Sequence, residues 1–341
     1  MRRYFLKWDD MTGLNSGENL GQVVVTGGAG AIGSRLVRRL IDEGAERVVV
    51  VDDMSSGYPW LLPADQRVEL LQADVCSLLD LNVVAERPLV FHLAAFFANQ
   101  NSVDHPRDDL HTNGLGTLTT LMWSERMAAR RVIYASAGCS IAGHGIDGPI
   151  REDMPVSLFL DTPYQITKAL GEFYCNYYAG RVETVRCRFF NSYGPGEVPG
   201  QYRNVIPNFI WRALHNQPLT ITGTGKETRD FIFVDDLVDG LVRAAIAERS
   251  AGEAINLGTG VQTEIAPLAE MIIRECGSRS DIVFGSRRPW DKSTHREANI
   301  DKAGTLLDLR PKTAVPDGIA KTVRWFEENM AEIEASTRSA T

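Results

Sequence analysis

The chain has 341 residues, of which 44% are hydrophobic, and this is enough to bury the core of one large domain or two closely joined domains. Its formal net charge of −8, without a run of Lys and Arg, argues against nucleic acid or an anionic membrane as its main partner. Five widely spaced cysteines and the lack of a long apolar segment favour a cytoplasmic protein with no disulfide framework.

The first predicted unit is a strand, a glycine-rich turn and a helix. Residues 1–20 are a polar N-terminal extension, and a strand is predicted over residues 22–26, with an amphipathic helix over residues 34–41. Glycines in the turn would let a pyrophosphate approach the backbone, and the helix N-terminus would offer it free N–H groups. The glycine spacing G-x-x-G-x-x-G is looser than the G-x-G-x-x-G fingerprint, and it involves Gly27, Gly30 and Gly33.

The second predicted strand, residues 47–52, ends at Asp52. A carboxylate there can accept hydrogen bonds from the adenosine ribose and would repel a 2′-phosphate, which favours NAD over NADP. Further strands are predicted over residues 68–73 and 89–93. Strands that alternate with helices indicate an α/β fold with a Rossmann-type, doubly wound parallel sheet, whose ligands bind along the carboxyl ends of the strands.

Two further helices are predicted, one with an irregular interior and one with a candidate acid–base pair. A long helix is predicted over residues 108–127, where Asn113 and Gly116 indicate a side-chain hydrogen bond or a kink. After a fifth strand, a further helix places Tyr164 and Lys168 one turn apart on one face. Beside NAD, the ammonium and the nicotinamide charge would favour the phenolate and make the pair an acid–base device. Without a cofactor, the two would be ordinary residues of a helix surface.

The second half of the chain predicts a smaller substrate-binding lobe. The sixth strand is predicted over residues 183–190, which closes an NAD-binding domain of residues 21–193. The alternation then loosens, so residues 194–230 and 261–330 are assigned to the lobe, while two short strands within 231–260 are expected to return to the edge of the first sheet. His92 is expected to be packed, and no histidine is expected to join carboxylates or cysteines in a metal site.

Taken in order, these patterns form a recognisable series. They are residues 26–33, Asp52, Asp74, residues 92–95, Asn113, Ser136, Tyr164-x-x-x-Lys168, residues 188–196 and residues 228–236. The series resembles the motifs of the extended short-chain dehydrogenase/reductases, and more closely their nucleotide-sugar epimerase/dehydratase branch. The resemblance covers about residues 22–327 and implies NAD as the cofactor and a nucleotide-diphosphate sugar as the substrate.

The resemblance also implies roles for individual residues. Tyr164 would exchange the proton of a sugar hydroxyl, and Lys168 would bind the nicotinamide ribose. The substrate diphosphate would be met by Asn191, Arg229 and Arg288; the alternatives are a salt bridge from Arg229 to Asp230 or Glu227 and a solvated charge at Arg288. The residues expected to hold the cofactor are Gly27, Gly30, Ala31, Ile32, Gly33, Asp52, Asp53, Asp74, Val75, Leu93, Ala94, Ala95, Asn113, Tyr164 and Lys168.

The loop over residues 136–140 departs from the family pattern. Ser136 is predicted to hydrogen-bond the reacting sugar oxygen or the nicotinamide, and Cys139 and Ser140 are the alternatives. If residues 141–143 match the family's Val-Tyr-Gly, however, the catalytic position falls on Gly138. The Asp-Glu pair of the dehydratases and the Glu of the decarboxylases are both missing. Cys139 is similar to the catalytic cysteine of 3,5-epimerases, against the alternative of an inert buried thiol.

Together these patterns predict an NAD-dependent nucleotide-sugar 4-epimerase of the UDP-glucose/UDP-galactose type, which acts through a 4-keto intermediate. The alternatives are a dehydratase or 3,5-epimerase that uses Cys139, and a non-catalytic NAD-sensing regulator. The resemblance further implies that helices over residues 108–127 and 164–178 pair across a two-fold axis in a homodimer; the alternative is that both are buried in one subunit.

Overall fold

The structure is a computed structural model that describes residues 20–143, 145–146 and 148–339. The predicted extension lies outside these residues, apart from Leu20, which is buried in the core. The strands of the described chain are β1 (Gln22–Thr26), β2 (Arg47–Asp52), β3 (Val68–Gln72), β4 (Leu89–His92), β5 (Arg131–Ala137), β6 (Thr184–Phe189), β7 (Asn191–Tyr193), β8 (Leu219–Thr222), β9 (Thr228–Phe233), β10 (Ala254–Leu257), β11 (Gln262–Glu264) and β12 (Ile282–Gly285).

The helices include two long ones that follow β1 and the loop after β5. They are α1 (Ala31–Asp42), α2 (Asn99–Asp104), α3 (Pro106–Asp109), α4 (Gly116–Arg126), α5 (Gly138–Ile141), α6 (Pro163–Tyr178), α7 (Val205–Leu214), α8 (Val234–Ile246), α9 (Ile265–Glu275), α10 (Asp301–Leu307), α11 (Val315–Glu328) and α12 (Met330–Ser339). Short 3₁₀ turns span Pro59–Leu61, Val75–Ser77 and Glu248–Ser250. None of these helices is long and apolar enough to cross a membrane.

The central sheet has seven strands in the order β10-β6-β5-β4-β1-β2-β3, and all of its pairings are parallel. Helices α1 and α8 pack on one face, whereas α4 and α6 pack on the other. Burial on both faces explains the valine runs of β1 and β2, since neither face of such a strand meets water. The predicted doubly wound parallel sheet is therefore confirmed.

The predicted long helix over residues 108–127 is divided by a π-helical segment, Leu110–Leu115, between α3 and α4. Asn113 lies inside this segment, and Gly116 begins α4. A Cβ on Gly116 would lie 2.6 Å from Cγ1 of Val75, so the close packing there requires glycine. The two residues that were unexpected in a regular helix therefore mark a local change in helix geometry.

The smaller lobe contains a separate core between α7, β8, β9, α9 and α11. Its strands form a three-stranded sheet, β11-β9-β7, and a parallel pair, β12 and β8. The expectation that residues 231–234 return to the first sheet was wrong, because β9 pairs with β7 and β11 instead. β10 does return and pairs with β6, while α10 packs in the core of the large sheet through Ala303 and Leu307.

Candidate active site

The turn after β1 is shaped to hold a phosphate group. Gly27 has a φ of +70°, and a Cβ on it would lie 2.5 Å from the backbone nitrogen of Ala94. A Cβ on Gly33 would lie 2.2 Å from the carbonyl oxygen of Gly27. Gly30 precedes α1 without a side-chain cap, so the first N–H groups of the helix, from Ala31 onward, are left for a ligand. This geometry fits a dinucleotide pyrophosphate.

Asp52 is fixed at the carboxyl end of β2 by two backbone donors. The Ala29 N–H donates to Oδ2 and the Met54 N–H donates to Oδ1, both at 2.9 Å. Burial raises the pKa of the Asp52 carboxyl, whereas the two backbone hydrogen bonds act in the opposite direction. The carboxylate is thus oriented in the way a ribose acceptor requires. The neighbouring Asp53 accepts hydrogen bonds from the backbone and hydroxyl of Ser55 and contributes to a local turn.

Small residues follow β4 beside this turn. The Leu93 N–H donates to the Thr26 carbonyl at 3.0 Å, and half-buried Ala94 and Ala95 come next. Asn113 then fixes the following backbone: its Oδ1 accepts from the Phe96 N–H at 2.9 Å, and its Nδ2 donates to the Phe96 carbonyl at 3.2 Å. Asn113 therefore shapes the wall of the predicted cofactor site through the backbone.

Helix α6 carries the predicted acid–base pair. It begins after Thr162, whose hydroxyl accepts from the Gln165 N–H, and Pro163 occupies the first turn. Tyr164 and Lys168 are both buried, and Nζ of Lys168 lies 5.7 Å from the centre of the Tyr164 ring. The same Nζ donates to the Ala135 carbonyl at 2.9 Å, which places it at the end of β5.

Burial opposes the charged form of both residues. It raises the pKa of the Tyr164 phenol and lowers the pKa of Lys168 to about 8. The ring of Phe97 contacts Tyr164 edge-on, with 6.0 Å between the ring centres, and helps to exclude water. A cationic nicotinamide at this place would supply the positive charge that a phenolate needs.

Ser136 lies in a buried ion-pair cluster. Its hydroxyl donates to Oε1 of Glu172 at 2.5 Å, and Arg188 donates to both oxygens of that carboxylate at 2.8 and 2.7 Å. Half-buried Cys139, on α5, lies close enough to Tyr164 for a charge on the thiol to raise the pKa of the phenol. The hydroxyl proton of Ser136 is therefore committed to Glu172 in this structure, whereas Cys139 lies on α5, which packs against α6.

The residues expected to bind the substrate differ in their surroundings. Arg229 donates to the Thr228 carbonyl at 2.8 Å and pairs with Asp291 at 3.2 Å. The two alternative partners of Arg229, Asp230 and Glu227, instead accept hydrogen bonds from backbone N–H groups. Arg288 is exposed, with its guanidinium 5.7 Å from the centre of the Trp290 ring.

Asn191, the third residue expected to bind the substrate, lies on β7, which pairs with β9. Oδ1 of Asn191 is buried and has no hydrogen-bond partner among the residues that the structure describes. A buried acceptor without a donor is costly, so a polar ligand group is expected to satisfy it.

Arg296 is a further cation that sequence reasoning missed. It is 7% exposed, donates a hydrogen bond to Ser293, and has its pKa lowered by burial. The positive charge of Arg229 lowers the same pKa further, while Cys139 lies near enough to raise it. Arg296 stands in an irregular stretch without periodicity, so no sequence signal identified it. Two neighbouring guanidinium groups in a buried region favour an anionic ligand.

The histidines give one confirmation and one correction. His92 is packed as expected, with its ring nitrogens 2.7 Å from the Thr26 hydroxyl and 2.9 Å from the Thr117 hydroxyl. The expectation that no histidine joins carboxylates and cysteines was wrong for His111. Its Nε2 lies 2.9 Å from Oδ2 of Asp74, and the Cys76 thiol is beside both. His111 is 35 residues from Cys76 in sequence, and it joins Asp74 and Cys76 through the packing of the π-helical segment against the 3₁₀ turn after Asp74.

The chain is similar to known nucleotide-sugar enzymes over most of its length. The chain is 35% identical over 313 residues to UDP-glucose 4-epimerase of Mycolicibacterium smegmatis, covering 89% of this chain and 98% of the relative. It is 32% identical to UDP-N-acetyl-alpha-D-glucosaminuronate decarboxylase of Bacillus cytotoxicus, with 89% and 97% covered. A solved epimerase from Methanothermobacter thermautotrophicus has a TM-score of 0.89 and 43% identity over 94% of this chain and 96% of that one.

Residues 23–258 match the sequence model of the NAD dependent epimerase/dehydratase family. The match spans the glycine turn, Asp52 and the Tyr164–Lys168 pair, and it ends just after β10. The protein is therefore an NAD-dependent enzyme, and the chain belongs to the NAD dependent epimerase/dehydratase family.

Proposed function

We propose that the protein is a nucleotide-sugar 4-epimerase of the UDP-glucose/UDP-galactose type. The observation that carries the proposal is the buried Tyr164–Lys168 pair at the carboxyl end of β5. The three residues directly after β5 are Gly138, Cys139 and Ser140, so the positions where the family's dehydratases carry Asp-Glu hold no carboxylate. The site can therefore oxidise and reduce a sugar carbon reversibly but lacks the acid pair expected of a dehydratase.

The chain's own residues then have the following parts in the reaction. Bound NAD supplies a reversible hydride acceptor. Tyr164 takes the proton of the C4 hydroxyl through its phenolate oxygen, and Lys168 stabilises that phenolate with its ammonium. The resulting 4-keto sugar turns over in the pocket, and Tyr164 returns the proton once the other face of C4 has been reduced.

The diphosphate of the substrate would be held in the smaller lobe. Arg229 and Arg296 supply positive charge near the carboxylate of Asp291, and Asn191 offers its unsatisfied oxygen to a hydroxyl or an N–H group. Arginine suits this task because its planar guanidinium can donate two hydrogen bonds to one phosphate. We assign residues 194–230 and 261–330 to substrate binding and residues 21–193 to NAD binding on this basis.

We also propose that the enzyme is a homodimer. Helices α4 and α6 pack side by side, and both expose large apolar side chains. Ile166 and Phe173 are seven residues apart and lie on one face of α6, while Met122 on α4 and Leu115, at the end of the π-helical segment just before α4, are also exposed. Four such side chains on adjacent helices form an apolar surface that a second copy of the chain would cover.

The proposed activity is tested with purified protein and six substrates: UDP-glucose, UDP-galactose, and the uronic-acid and N-acetyl relatives of each. NMR of the products is expected to show inversion at C4 for at least one of them. A dehydrated or decarboxylated product without inversion at C4 would contradict the proposal.

Cys139 supports a second candidate, a dehydratase or 3,5-epimerase. The thiol lies beside Tyr164 and Arg296, where it could move a proton at a carbon next to a 4-keto group. Reaction in deuterium oxide separates the two functions. A direct 4-epimerase puts no deuterium on carbon, whereas carbon-bound deuterium that disappears in Cys139→Ser would favour the second candidate.

A further inference from the structure

Three donor atoms of different types converge on the surface near the start of α4. They are a carboxylate oxygen of Asp74, Sγ of Cys76 and an imidazole nitrogen of His111, and all three lie within 4.8 Å of one another. Asp74 and Cys76 belong to the 3₁₀ turn after β3, whereas His111 belongs to the π-helical segment. Two separate elements therefore bring the set together.

The cluster is both ordered and reachable from solvent. Asp74 accepts from the Cys76 N–H at 2.8 Å and lies 2.9 Å from the His111 ring, so the carboxylate is already held between the other two donors. The side chain of Asp74 is 47% exposed and that of His111 is 50% exposed. The Cys76 thiol donates to the His111 carbonyl at 3.2 Å, which holds Sγ beside the π-helical segment that carries His111.

We propose that Asp74, Cys76 and His111 form a binding site for a divalent cation of the Zn²⁺ class. One sulfur, one imidazole nitrogen and one carboxylate oxygen are the ligands that Zn²⁺ takes in proteins, and a solvent molecule would complete four-coordination. Mg²⁺ and Ca²⁺ prefer sets of oxygen ligands, so the cysteine and histidine select against both. On binding, the metal replaces the thiol proton, which passes to solvent.

The Asp74 carboxylate belongs both to the proposed metal site and to the predicted NAD site. Asp74 and Val75 are predicted to border the adenine of NAD, and this step rests on that predicted placement. A metal that takes the Asp74 oxygens withdraws them from the adenine edge and places a cation there. Metal and NAD therefore compete for the cluster, so that each lowers the apparent affinity for the other.

Titration of the untagged, NAD-free enzyme with Co²⁺ tests the metal site without any measurement of turnover. Bound Co²⁺ gives a thiolate charge-transfer band, which we expect at one metal per chain and which Zn²⁺, but not Mg²⁺, should remove. Cys76→Ser should abolish the band. His111→Ala should weaken Co²⁺ binding by about tenfold or more.

The controls are Cys276→Ser and His215→Ala, two residues of the smaller lobe, and both variants should bind Co²⁺ as the wild type does. Circular dichroism checks that each variant is folded. Absence of the band in the wild type, or its persistence in Cys76→Ser, would overturn the site.

A second titration tests the competition in the same protein. Saturating NAD should lower the apparent affinity for Co²⁺, and Zn²⁺ should lower NAD binding in the wild type but not in Cys76→Ser. If NAD leaves the Co²⁺ band unchanged, Asp74 is not shared with the cofactor and that part of the proposal fails. Neither result depends on whether the enzyme is a 4-epimerase.

Discussion

Tyr164 and Lys168 lie where burial disfavours the charged form of each. The pKa of the phenol is raised, so the phenol is neutral near pH 7, whereas the pKa of the ammonium is lowered to about 8, so most of its charge is kept at that pH. A cationic nicotinamide would change this balance, because it favours a phenolate nearby. The acid–base device is therefore expected to depend on the cofactor, and the phenolic oxygen is its only proton carrier.

Replacing Tyr164 with Phe removes that oxygen and keeps the ring. Turnover should fall by roughly 10²–10⁴-fold, the usual range for the loss of a positioned acid–base group. NAD binding should stay within a few-fold of the wild type, because the edge-on contact with Phe97 remains. Turnover is followed by NMR and NAD binding by calorimetry.

Tyr177→Phe is the matched control, since Tyr177 is on the same helix and is 64% exposed. It should retain full turnover. Loss of turnover in Tyr164→Phe with NAD binding preserved would also exclude a non-catalytic NAD-sensing role. Near wild-type turnover in that variant would refute the role proposed for the phenol.

His92 should make stability depend on pH. Burial, helped by the charge of Lys168, lowers the pKa of His92 to about 3, against 6.5 in an unfolded chain. The unfolded state thus binds the extra proton first, and stability is lost as the pH falls below 6.5. Between pH 7 and pH 5 this group alone should remove roughly 2 kcal/mol from the free energy of unfolding.

The measurement is urea unfolding of NAD-free protein at both pH values. In His92→Gln the loss between pH 7 and pH 5 should be smaller by about that amount. The exposed His215→Gln serves as the control and should show the wild-type loss. An unchanged loss in His92→Gln would show that other groups cause the acid sensitivity.

The sequence predicted the residues of this site that belong to local patterns. Asp52 ends a valine-rich strand and Tyr164 and Lys168 are one helical turn apart, as the local patterns predicted, while their roles follow from the family resemblance and stay predictions. Arg296 and the partner of Ser136 could not be found in this way. Glu172 and Arg188 approach Ser136 only because β5, β6 and α6 pack together, and no local pattern encodes that contact.

The strand–turn–helix unit at β1 and α1 depends on close backbone contacts. Gly33→Ala would place a Cβ 2.2 Å from the Gly27 carbonyl oxygen and 2.6 Å from the Cα of Gly28. Neither atom can move without distorting the turn, so the free energy of unfolding should fall by roughly 1–3 kcal/mol. NAD affinity should fall at the same time, because the phosphate cradle is distorted. Urea unfolding and calorimetry measure the two effects.

Gly180→Ala is the matched control, since a Cβ there meets nothing within 4 Å. It should leave stability and NAD affinity near the wild type. If Gly33→Ala were equally neutral, the turn would be looser than the structure shows.

The interrupted helix shows how far an element can be predicted. Asn113 and Gly116 correctly predicted that the helix over residues 108–127 is irregular, because both residues are unfavourable in a helix interior. The form of the irregularity did not follow from them. The π-helical segment is stabilised by hydrogen bonds from Asn113 to the Phe96 backbone, and by contact between Gly116 and Val75. Both depend on loops that follow other strands.

For the whole molecule, the large sheet was predictable and the smaller lobe was not. The seven parallel strands are short apolar runs separated by helices, a local pattern that dictates their topology. β9 has the same apolar character, yet it pairs with β7 and β11 in the lobe. Its partners are decided by the packing of Phe231 and Phe233 in the second core, which no local pattern reveals.

Association of two chains is the last property to test at this scale. The proposed interface consists of the exposed apolar side chains of α4 and α6, among which Ile166 and Phe173 are each 54% exposed. Arginine at both places would bring like charges together across a two-fold axis and leave them without water. We expect the wild type to sediment as a dimer and the double variant Ile166→Arg/Phe173→Arg to sediment as a monomer.

The control for this experiment is Leu158→Arg/Phe159→Arg, because these side chains are 91% and 80% exposed outside both helices. This variant should remain dimeric, which separates a specific interface from a general effect of added charge. Because Ile166 and Phe173 face solvent in the isolated chain, their replacement should leave the fold intact, as circular dichroism can verify. A monomeric wild type would refute the homodimer, and a dimeric helix variant would place the dimer interface outside the apolar surface of α4 and α6.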